Sequence, residues 1–301
     1  MTSGEEMIYD RLSDEKMYSG DPLRLSNGEF RELSRFISSR WGIQLPPSKK
    51  DLLEGRLRNR IRTLRMPSFR DYCQYLFSPQ GMEREPMEMI DVITTNKTDF
   101  FREADHFAYL SNNALVELTE SGIGRTTLPL TVWSAGCSSG EEPWTLAMVI
   151  SSFAASRPDL RFNIVASDIS SRVLQKARHA VYTESQIEPV PLPCRRSFLL
   201  KSRDASKRLV RIHPALRRLV EFKRVNLLES GVELKMKFHV IFCRNVIIYF
   251  SKSIQDRVLQ ELFDHLHPGG FLFLGHSEAM PGLKIPLTPV APTVYRKAGE
   301  L

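Results

Sequence analysis

The sequence predicts an α/β protein in two parts. A small N-terminal helical bundle precedes a doubly wound, mostly parallel sheet that carries a small antiparallel insertion. Three observations predict it. Apolar residues recur at helical spacing from Ser26 to about Ile93. Residues 128–144 run from an apolar strand through a small-residue turn into a helix, the unit that sets a nucleotide-like ligand at the carboxyl edge of a parallel sheet. Between residues 185 and 224 this strand–helix rhythm breaks into short apolar segments after Pro189, Pro191 and Pro193.

Composition sets the limits. The chain has 301 residues, 42% of them hydrophobic, enough for a substantial core and two domains. No apolar run reaches the ~18–20 residues of a membrane span. The N-terminus, MTSGEEMIYDRLSDEK, is acidic and lacks the basic and apolar regions of a secretion signal. Cys73, Cys137, Cys194 and Cys243 are scattered without a CxxC pair, which argues against a disulfide framework or a zinc site. The expectation is a cytoplasmic protein with free thiols and no metal. Net charge is +7 but uneven: Lys49–Arg65 carries +5 and Arg195–Arg224 carries +9, on an otherwise acidic chain. Two basic patches on an acidic body imply an anionic macromolecular partner.

In chain order, residues 1–24 read as a disordered or flexible segment. Residues 25–93 read as the helical domain. Ser26 and Glu29 have capping-box spacing, Phe30, Leu33, Ile37 and Trp41 follow at helical intervals, and Gly42 suits a terminator. A second helix over about 48–65 has Leu53, Leu57, Ile61 and Leu64 as its apolar stripe and arginines on its other faces. With two acids against seven cations, that helix is expected to gain little from internal pairing and to dock on an acidic surface. A third helix over Phe69–Phe77 and a fourth over Glu83–Ile93 complete the bundle.

The second domain is expected over 94–301. Its first stretch, Thr94 to Glu103, is dense in hydroxyl, amide and charge. It suits a loop-to-helix junction capped by Thr98 or Asp99, or a lid with Arg102 aimed at a carboxylate. Then comes VWSAGCSSGEEPW, residues 132–144. Gly136 and Gly140 lie four apart, so neither GxGxxG nor GxxxxGK[ST] is present. Glu141 and Glu142 at the helix start suit the helix dipole but repel a phosphate. The turn therefore favours a nucleoside carrying positive charge, for which S-adenosylmethionine is the obvious candidate. The second strand, Phe162–Ser167, ends at Asp168, placed to accept hydrogen bonds from ribose hydroxyls or to cap the following helix. The insertion, about 187–224, is expected to include Ser197–Lys201, Arg208–Ile212 and Leu219–Lys223 as antiparallel strands. The sheet resumes at Lys237–Cys243, followed by Arg244, Asn245 and Tyr249, a helix over Ser253–Leu266, a strand from Phe271 and a final antiparallel strand near Thr293–Arg296.

T-T-N-K-T-D-F-F-R-E, W-S-A-G-C-S-S-G-E-E-P, A-S-D-I, V-N-L-L and F-C-R-N-V-I-I-Y-F occur in this order. Together they resemble the chemotaxis receptor methyltransferases, the CheR family, over about residues 25–300. The resemblance implies a class I methyltransferase (Rossmann-like) fold, S-adenosylmethionine as methyl donor and S-adenosylhomocysteine as product. It implies transfer to glutamate side chains of chemoreceptor cytoplasmic helices. Matched by motif, the cofactor contacts are Asn96, Thr98, Arg102, one of Glu141 and Glu142 (with Glu142 preferred), Asp168, Asn226, Leu227, Cys243, Arg244 and Asn245. The basic helix, with Arg56, Arg60 and Arg62, then faces the receptor, and in some members the insertion grips a short receptor tail peptide. The expected partner is the acidic receptor domain, with membrane contact only through receptors, no nucleic acid, and a monomeric chain.

The chemistry needs little acid–base help. A glutamate carboxylate is already ionised at pH 7, and a sulfonium methyl is activated. Catalysis is then mostly proximity and in-line orientation, with Arg102, Arg244 and Tyr249 as the candidate arranging groups. Two rivals stand beside this reading. A methyltransferase for RNA or small molecules fits the basic patches, although no stacking-aromatic motif is present. A non-catalytic S-adenosylmethionine-binding adaptor is the other.

Overall fold

The computed structural model describes residues 23–125, 127–229, 234, 236–278 and 285–299. Most of the segment expected to be flexible, residues 1–24, lies outside the described residues. The chain divides into two compact units. One contains the described residues up to Phe36 and Leu45–Ile93; the other contains Ile37–Gln44 and the chain from Thr94 onward.

The first unit is helical. Helix α1 (Asn27–Trp41) opens on the expected capping box: Ser26 N–H donates to Glu29 Oε2 at 2.8 Å, and Glu29 N–H to Ser26 Oγ at 3.3 Å. Helices α2 (Lys50–Thr63), α3 (Phe69–Leu76) and α4 (Pro79–Ile93) follow. Leu53, Leu57 and Ile61 bury the α2 stripe; Leu64 is only half-buried. The fourth helix starts at Pro79, before the expected Glu83, because Ser78 Oγ accepts the Gly81 N–H at 3.1 Å and sets a turn there. Gly81 must lack a side chain: a Cβ would sit 1.8 Å from the Tyr75 carbonyl oxygen.

The arginines of α2 are not the unpaired set that residue counting implies. Arg60 reaches α4 and grips buried Glu85 with two parallel hydrogen bonds, Nε to Oε1 at 3.0 Å and Nη2 to Oε2 at 2.7 Å. Tyr72 Oη donates to the same Oε1 at 2.9 Å, and Glu88 lies 3.3 Å from Arg60 Nη1. Burial and the neighbouring Glu85 carboxylate push the Tyr72 phenol far up, so it stays a donor. Arg58 pairs with Glu54 one turn away, and Arg56 donates to the Ile93 carbonyl. Opposite charge from another helix, invisible to a count within α2, makes the difference.

In the second unit, α5 (Ala104–Tyr109) continues through a π-helical turn, Leu110–Ala114, into α6 (Leu115–Glu120). Then come β1 (Leu130–Ala135), α7 (Glu141–Ala154), β2 (Phe162–Asp168), α8 (Ser171–His179) and β3 (Val181–Thr183). The chain goes on through α9 (Leu192–Phe198), β4 (Leu199–Lys201), β5 (Leu209–Ile212), α10 (Pro214–Arg217) and β6 (Val220–Arg224). It closes with β7 (Phe238–Cys243), α11 (Lys252–Asp264), β8 (Leu266–Leu274), β9 (Leu287–Ala291) and β10 (Val294–Lys297).

Seven strands form one sheet in the order β6-β2-β1-β7-β8-β10-β9. Its first five strands are parallel; β10 is antiparallel to both β8 and β9. Side chains alternate between two cores, as a sheet covered on both faces requires. Val132, Val240, Phe242, Phe271 and Phe273 face the layer with Trp144, Leu146 and Phe107. Trp133, Ile241, Cys243, Leu272 and Leu274 face Val258, Leu259 and Leu262 of α11.

The insertion differs from the sequence expectation. Its three strands, ordered β3-β5-β4, begin at Val181 and end at Ile212. The segment expected as its last strand is β6, which joins the large sheet in parallel register, Ile164 opposite Val220 and Asp168 opposite Arg224. A short half-buried strand has the same pattern at a sheet edge as in a small meander, so periodicity alone does not separate the two.

Candidate functional site

The parallel strands β1, β2 and β7 end together, and the side chains expected to carry function cluster at that edge. The turn after β1 is tight. Gly136 has φ +80°, and a Cβ there would meet Val246 Cγ2 at 2.3 Å. Gly140, at φ +100°, would bring a Cβ within 2.9 Å of Ala177 Cβ and of Tyr182 Oη. Both glycines are therefore required by close approach and by backbone conformation.

Asp168, at the end of β2, closes the turn. Its Oδ2 accepts the Ser138 N–H at 2.9 Å and its Oδ1 the Ser170 N–H at 2.9 Å. The helix-capping role belongs to Ser170, whose Oγ accepts the Val173 N–H at 3.3 Å. Ser138, itself left-handed at φ +49°, donates through Oγ to the Asn96 carbonyl at 3.2 Å, which ties the 94–103 stretch to the turn.

The paired acids at the start of α7 diverge. Glu141 turns toward Ser139 Oγ, 2.8 Å away, and burial raises its pKa above the ordinary carboxylate value. Glu142 turns the other way. Its Oε1 accepts from Ser134 Oγ at 2.7 Å and its Oε2 from Arg244 Nε at 2.8 Å.

Arg244 is the hub. Its guanidinium is buried, stacked near the Phe107 and Phe242 rings at 5.0 and 5.4 Å. Nη1 donates to the Arg102 carbonyl at 2.7 Å and lies 3.4 Å from Glu103 Oε2 and 3.2 Å from His106 Nδ1. Arg102 is flanked by two left-handed residues, Phe101 (φ +54°) and Glu103 (φ +56°). Such backbone persists only where surrounding contacts hold it; here Thr145 Oγ1 takes the Phe101 N–H at 3.2 Å and Arg244 takes the next carbonyl. Glu103, left-handed, starts α5; neither Thr98 nor Asp99 does. The Arg102 side chain donates to the Lys97 carbonyl at 2.9 Å.

The remaining candidates lie along the same edge. Cys243 ends β7, fully buried, its thiol pushed well up by desolvation, so it has no nucleophilic character. Asn245 is left-handed at φ +59° with Nδ2 3.5 Å from Glu103 Oε1. Asn226 and Leu227 follow β6: Asn226 donates to the Arg40 carbonyl at 3.3 Å and to Glu229 Oε1 at 3.2 Å, and its Oδ1 caps the Leu228 N–H at 3.1 Å. Tyr249 sits in a 3-10 turn, Ile247–Tyr249, with Ile248 and Tyr249 both solvent-exposed. Asn96 and Thr98 are half-buried, with Asn96 Nδ2 3.3 Å from Thr94 Oγ1.

Three contributors were not singled out from sequence. Glu103 and His106 stand close to Arg102 in the chain. Glu278, after β8, is buried, and its carboxylate accepts backbone N–H groups of Asn245 (2.7 Å), Ile247 (2.9 Å), Ile248 (3.3 Å) and Gly275 (2.8 Å). It fixes the loop that runs from Asn245 toward Tyr249. An acid just past Gly275 at the end of an apolar strand was the available signal. Glu103, His106 and His276 also place one ligand-type atom each within 4.8 Å of one another. The Arg244 guanidinium touches two of the three, so this cluster is an ion-pair network, and its local field opposes a cation.

The donor set fits S-adenosylmethionine. A helix N-terminus faced by Asp168, Glu141 and Glu142 is hostile to phosphate and suited to an ammonium and sulfonium on a nucleoside. A strand-end acid beside a close glycine turn is the ribose-side arrangement of doubly wound sheets. The fold and the acid-lined turn define an S-adenosylmethionine-dependent methyltransferase.

Comparison with known proteins gives the family. Residues 96–295 match the family described as CheR methyltransferase, SAM binding domain, and residues 28–94 match CheR methyltransferase, all-alpha domain. The chain is 34% identical to the chemotaxis protein methyltransferase of Borreliella burgdorferi, over 91% of this chain and 96% of that one. It is 35% identical to chemotaxis protein methyltransferase 2 of Pseudomonas aeruginosa, over 94% and 97%. With the chemotaxis protein methyltransferase of Escherichia coli it shares 36% identity, over 91% and 92%. The chain belongs to the CheR methyltransferase family.

Proposed function

We propose that this enzyme methylates glutamate side chains on the cytoplasmic helices of chemoreceptors, giving glutamate methyl esters in sensory adaptation. The observation that carries this reading is the buried acid-lined turn at the carboxyl ends of β1, β2 and β7, joined through Arg244 to the 94–103 stretch. It is supported by the names of the relatives. S-adenosylmethionine, when bound, supplies a methyl group already activated on a sulfonium.

The chain's own residues bind, orient and exclude water. An ionised carboxylate accepts at both oxygens, and Asp168 would take the ribose hydroxyls through them. Glu142, on the Arg244 side of the turn, is the better placed of the two acids for the ammonium of the methionyl end; Glu141 faces Ser139. Asn96, Thr98 and Arg102 would border the cofactor from the 94–103 stretch, Asn226 and Leu227 from the end of β6, and Cys243, Arg244 and Asn245 from the end of β7. Arg102, Arg244 and Tyr249 would align the incoming carboxylate. The carboxylate must stay weakly held, because an interaction equally strong before and at the transition state lowers nucleophilicity without raising turnover.

Receptor docking through the basic helix is narrower than the sequence implies. Arg60 and Arg56 are committed to α4 and its last carbonyl, so the reading rests on exposed Arg62, with Arg65 and Lys49 nearby in sequence. Arg62→Glu should weaken receptor methylation and spare cofactor binding; equal loss of both points to misfolding.

Incubation with labelled S-adenosylmethionine, receptor cytoplasmic fragments and total RNA tests the function. Label on receptor glutamates, absent from a Glu→Ala fragment, supports it. Label on RNA, or binding of the cofactor with no transfer, overturns it in favour of an RNA enzyme or an adaptor.

A further inference from the structure

The network around Arg244 contains a titratable ring, His106, to which the proposed chemistry gives no role. We propose that neutral His106 is a positioning residue that holds Arg244 in the methyl-transfer site, and that its protonation in mild acid displaces the guanidinium and stops turnover. The inference rests on the reading that Arg244 works in that site.

The tautomer is dictated by the donors. A guanidinium only donates, so His106 Nδ1, 3.2 Å from Arg244 Nη1, must present a lone pair. Its proton is then on Nε2, which points at Thr293 Oγ1 at 3.0 Å. The ring is buried, with the Phe273 ring at 5.8 Å and the His276 ring at 4.8 Å, both edge-on. Turning the ring to offer Arg244 a different atom would take Nε2 away from Thr293 Oγ1.

A second proton removes the acceptor and sets two cations in contact. Among the described residues, the groups facing His106 come from four parts of the chain: Arg244 after β7, Glu103 and Asp105 around the start of α5, His276 after β8, and Thr293 before β10. Glu103 Oε2, 3.4 Å from His106 Nδ1, and Asp105 both favour protonation. Burial, Arg244 and His276 oppose it, and the net effect lowers the pKa below the usual histidine value. The ring is therefore held as the neutral acceptor that Arg244 requires, and it takes up a second proton only below the usual histidine range.

Protonation sets up a competition for Glu103. Its Oε2 stands 3.4 Å from Arg244 Nη1 and 3.4 Å from His106 Nδ1. Charged His106 would claim that oxygen and repel Nη1. The same Nη1 holds the Arg102 carbonyl between two left-handed residues. Moving it releases the Arg102 backbone as well, so one proton disturbs both candidate arranging arginines.

The test is turnover of a receptor fragment from pH 5 to 8.5, with kcat and KM for S-adenosylmethionine separated, in wild type, His106→Asn and His106→Ala. Asparagine can put a neutral acceptor near the Nδ1 position and does not titrate in this range. The wild type should lose kcat about tenfold per pH unit below the His106 pKa. His106→Asn should show no such acid limb relative to its own pH 8 rate. His106→Ala should lower kcat more than it raises KM at every pH. An unchanged acid limb in His106→Asn, no limb in the wild type, or a wild-type kcat in His106→Ala overturns the proposal. Should the alanine variant fail to fold, the asparagine profile decides. Arg244→Ala separates the two readings: undiminished turnover there removes Arg244 from the site, whereas an inactive Arg244→Ala beside an unaltered His106→Asn limb removes only the histidine.

Discussion

Each unit pairs an arginine with a buried glutamate, and the two pairs are built for different ends. Arg60–Glu85 is closed. Two parallel hydrogen bonds and a Tyr72 hydroxyl satisfy the carboxylate, and all three residues lie within helices. Arg244–Glu142 is open-ended. One guanidinium is shared among Glu142, Glu103, His106 and a carbonyl, next to two left-handed residues. A closed pair fixes one packing of three helices. A shared one makes the position of each member depend on the others, which suits a site whose reaction needs alignment more than acid–base chemistry.

The comparison breaks most sharply at Arg60. Arg60→Ala leaves the Glu85 charge buried without its counterion and should cost roughly 3–5 kcal/mol, read by chemical denaturation of the helical unit. Replacing the whole polar group, Arg60→Met and Glu85→Leu with Tyr72→Phe to remove the hydroxyl that donates to Glu85, should recover much of that loss, because the desolvation cost disappears with it. Failure of the combined replacement to outperform the single would mean the pair specifies the packing as well.

Histidine titration should act on one unit only. All seven histidines lie at or beyond residue 106, outside the helical unit. His239, buried and stacked on His267 at 4.4 Å, accepts the Thr131 N–H through Nδ1, and burial lowers its pKa to about 4. A depressed histidine contributes stability above its unfolded pKa of about 6.5 and loses it as pH falls toward 4. The catalytic unit should lose up to roughly 3 kcal/mol across that window, and hydrogen exchange should show the helical unit unaffected by it.

Next in size is chemistry. Arg102→Ala should lower turnover about 100-fold, near 2.7 kcal/mol of barrier, with a melting temperature close to wild type, since among the described residues the Arg102 side chain donates to a nearby carbonyl alone. A large stability loss would place Arg102 with Arg60, as structure rather than alignment. The smallest effect belongs to Ser26→Ala, about 1 kcal/mol from the lost cap on α1, with no change in turnover per folded molecule.

Much of the fold and site was legible in the chain because it rests on local rules. The capping box at Ser26, the glycine turn at 136–140 and the acid closing β2 all announce themselves within a few residues. The five ordered motifs then named the family. What was not legible depends on partners distant in sequence. Arg60 read as a surface cation until Glu85, 25 residues away, supplied its counterion. β6 read as part of the insertion because edge strands carry no signal of which sheet they join. Glu278 and His106 were passed over since one buried acid and one histidine look ordinary without the loop and the guanidinium they hold.

Residues 37–44 matter to anyone dissecting this enzyme. They lie inside the 28–94 stretch that matches the all-alpha domain, yet they group with the catalytic unit. Ile43 bridges Phe250, the Gln44 N–H reaches the Tyr249 carbonyl at 2.9 Å, and the Arg40 carbonyl receives Asn226. Gly42, at φ +71°, has no room for a side chain beside Leu228. The polypeptide therefore crosses the border between units more than once. A truncation beginning at residue 94 would not yield a clean catalytic fragment, and exchanging N-terminal halves between relatives would also replace the segment that props the Asn226 and Tyr249 loops. Chimeras meant to change receptor choice should keep residues 37–44 with the catalytic half.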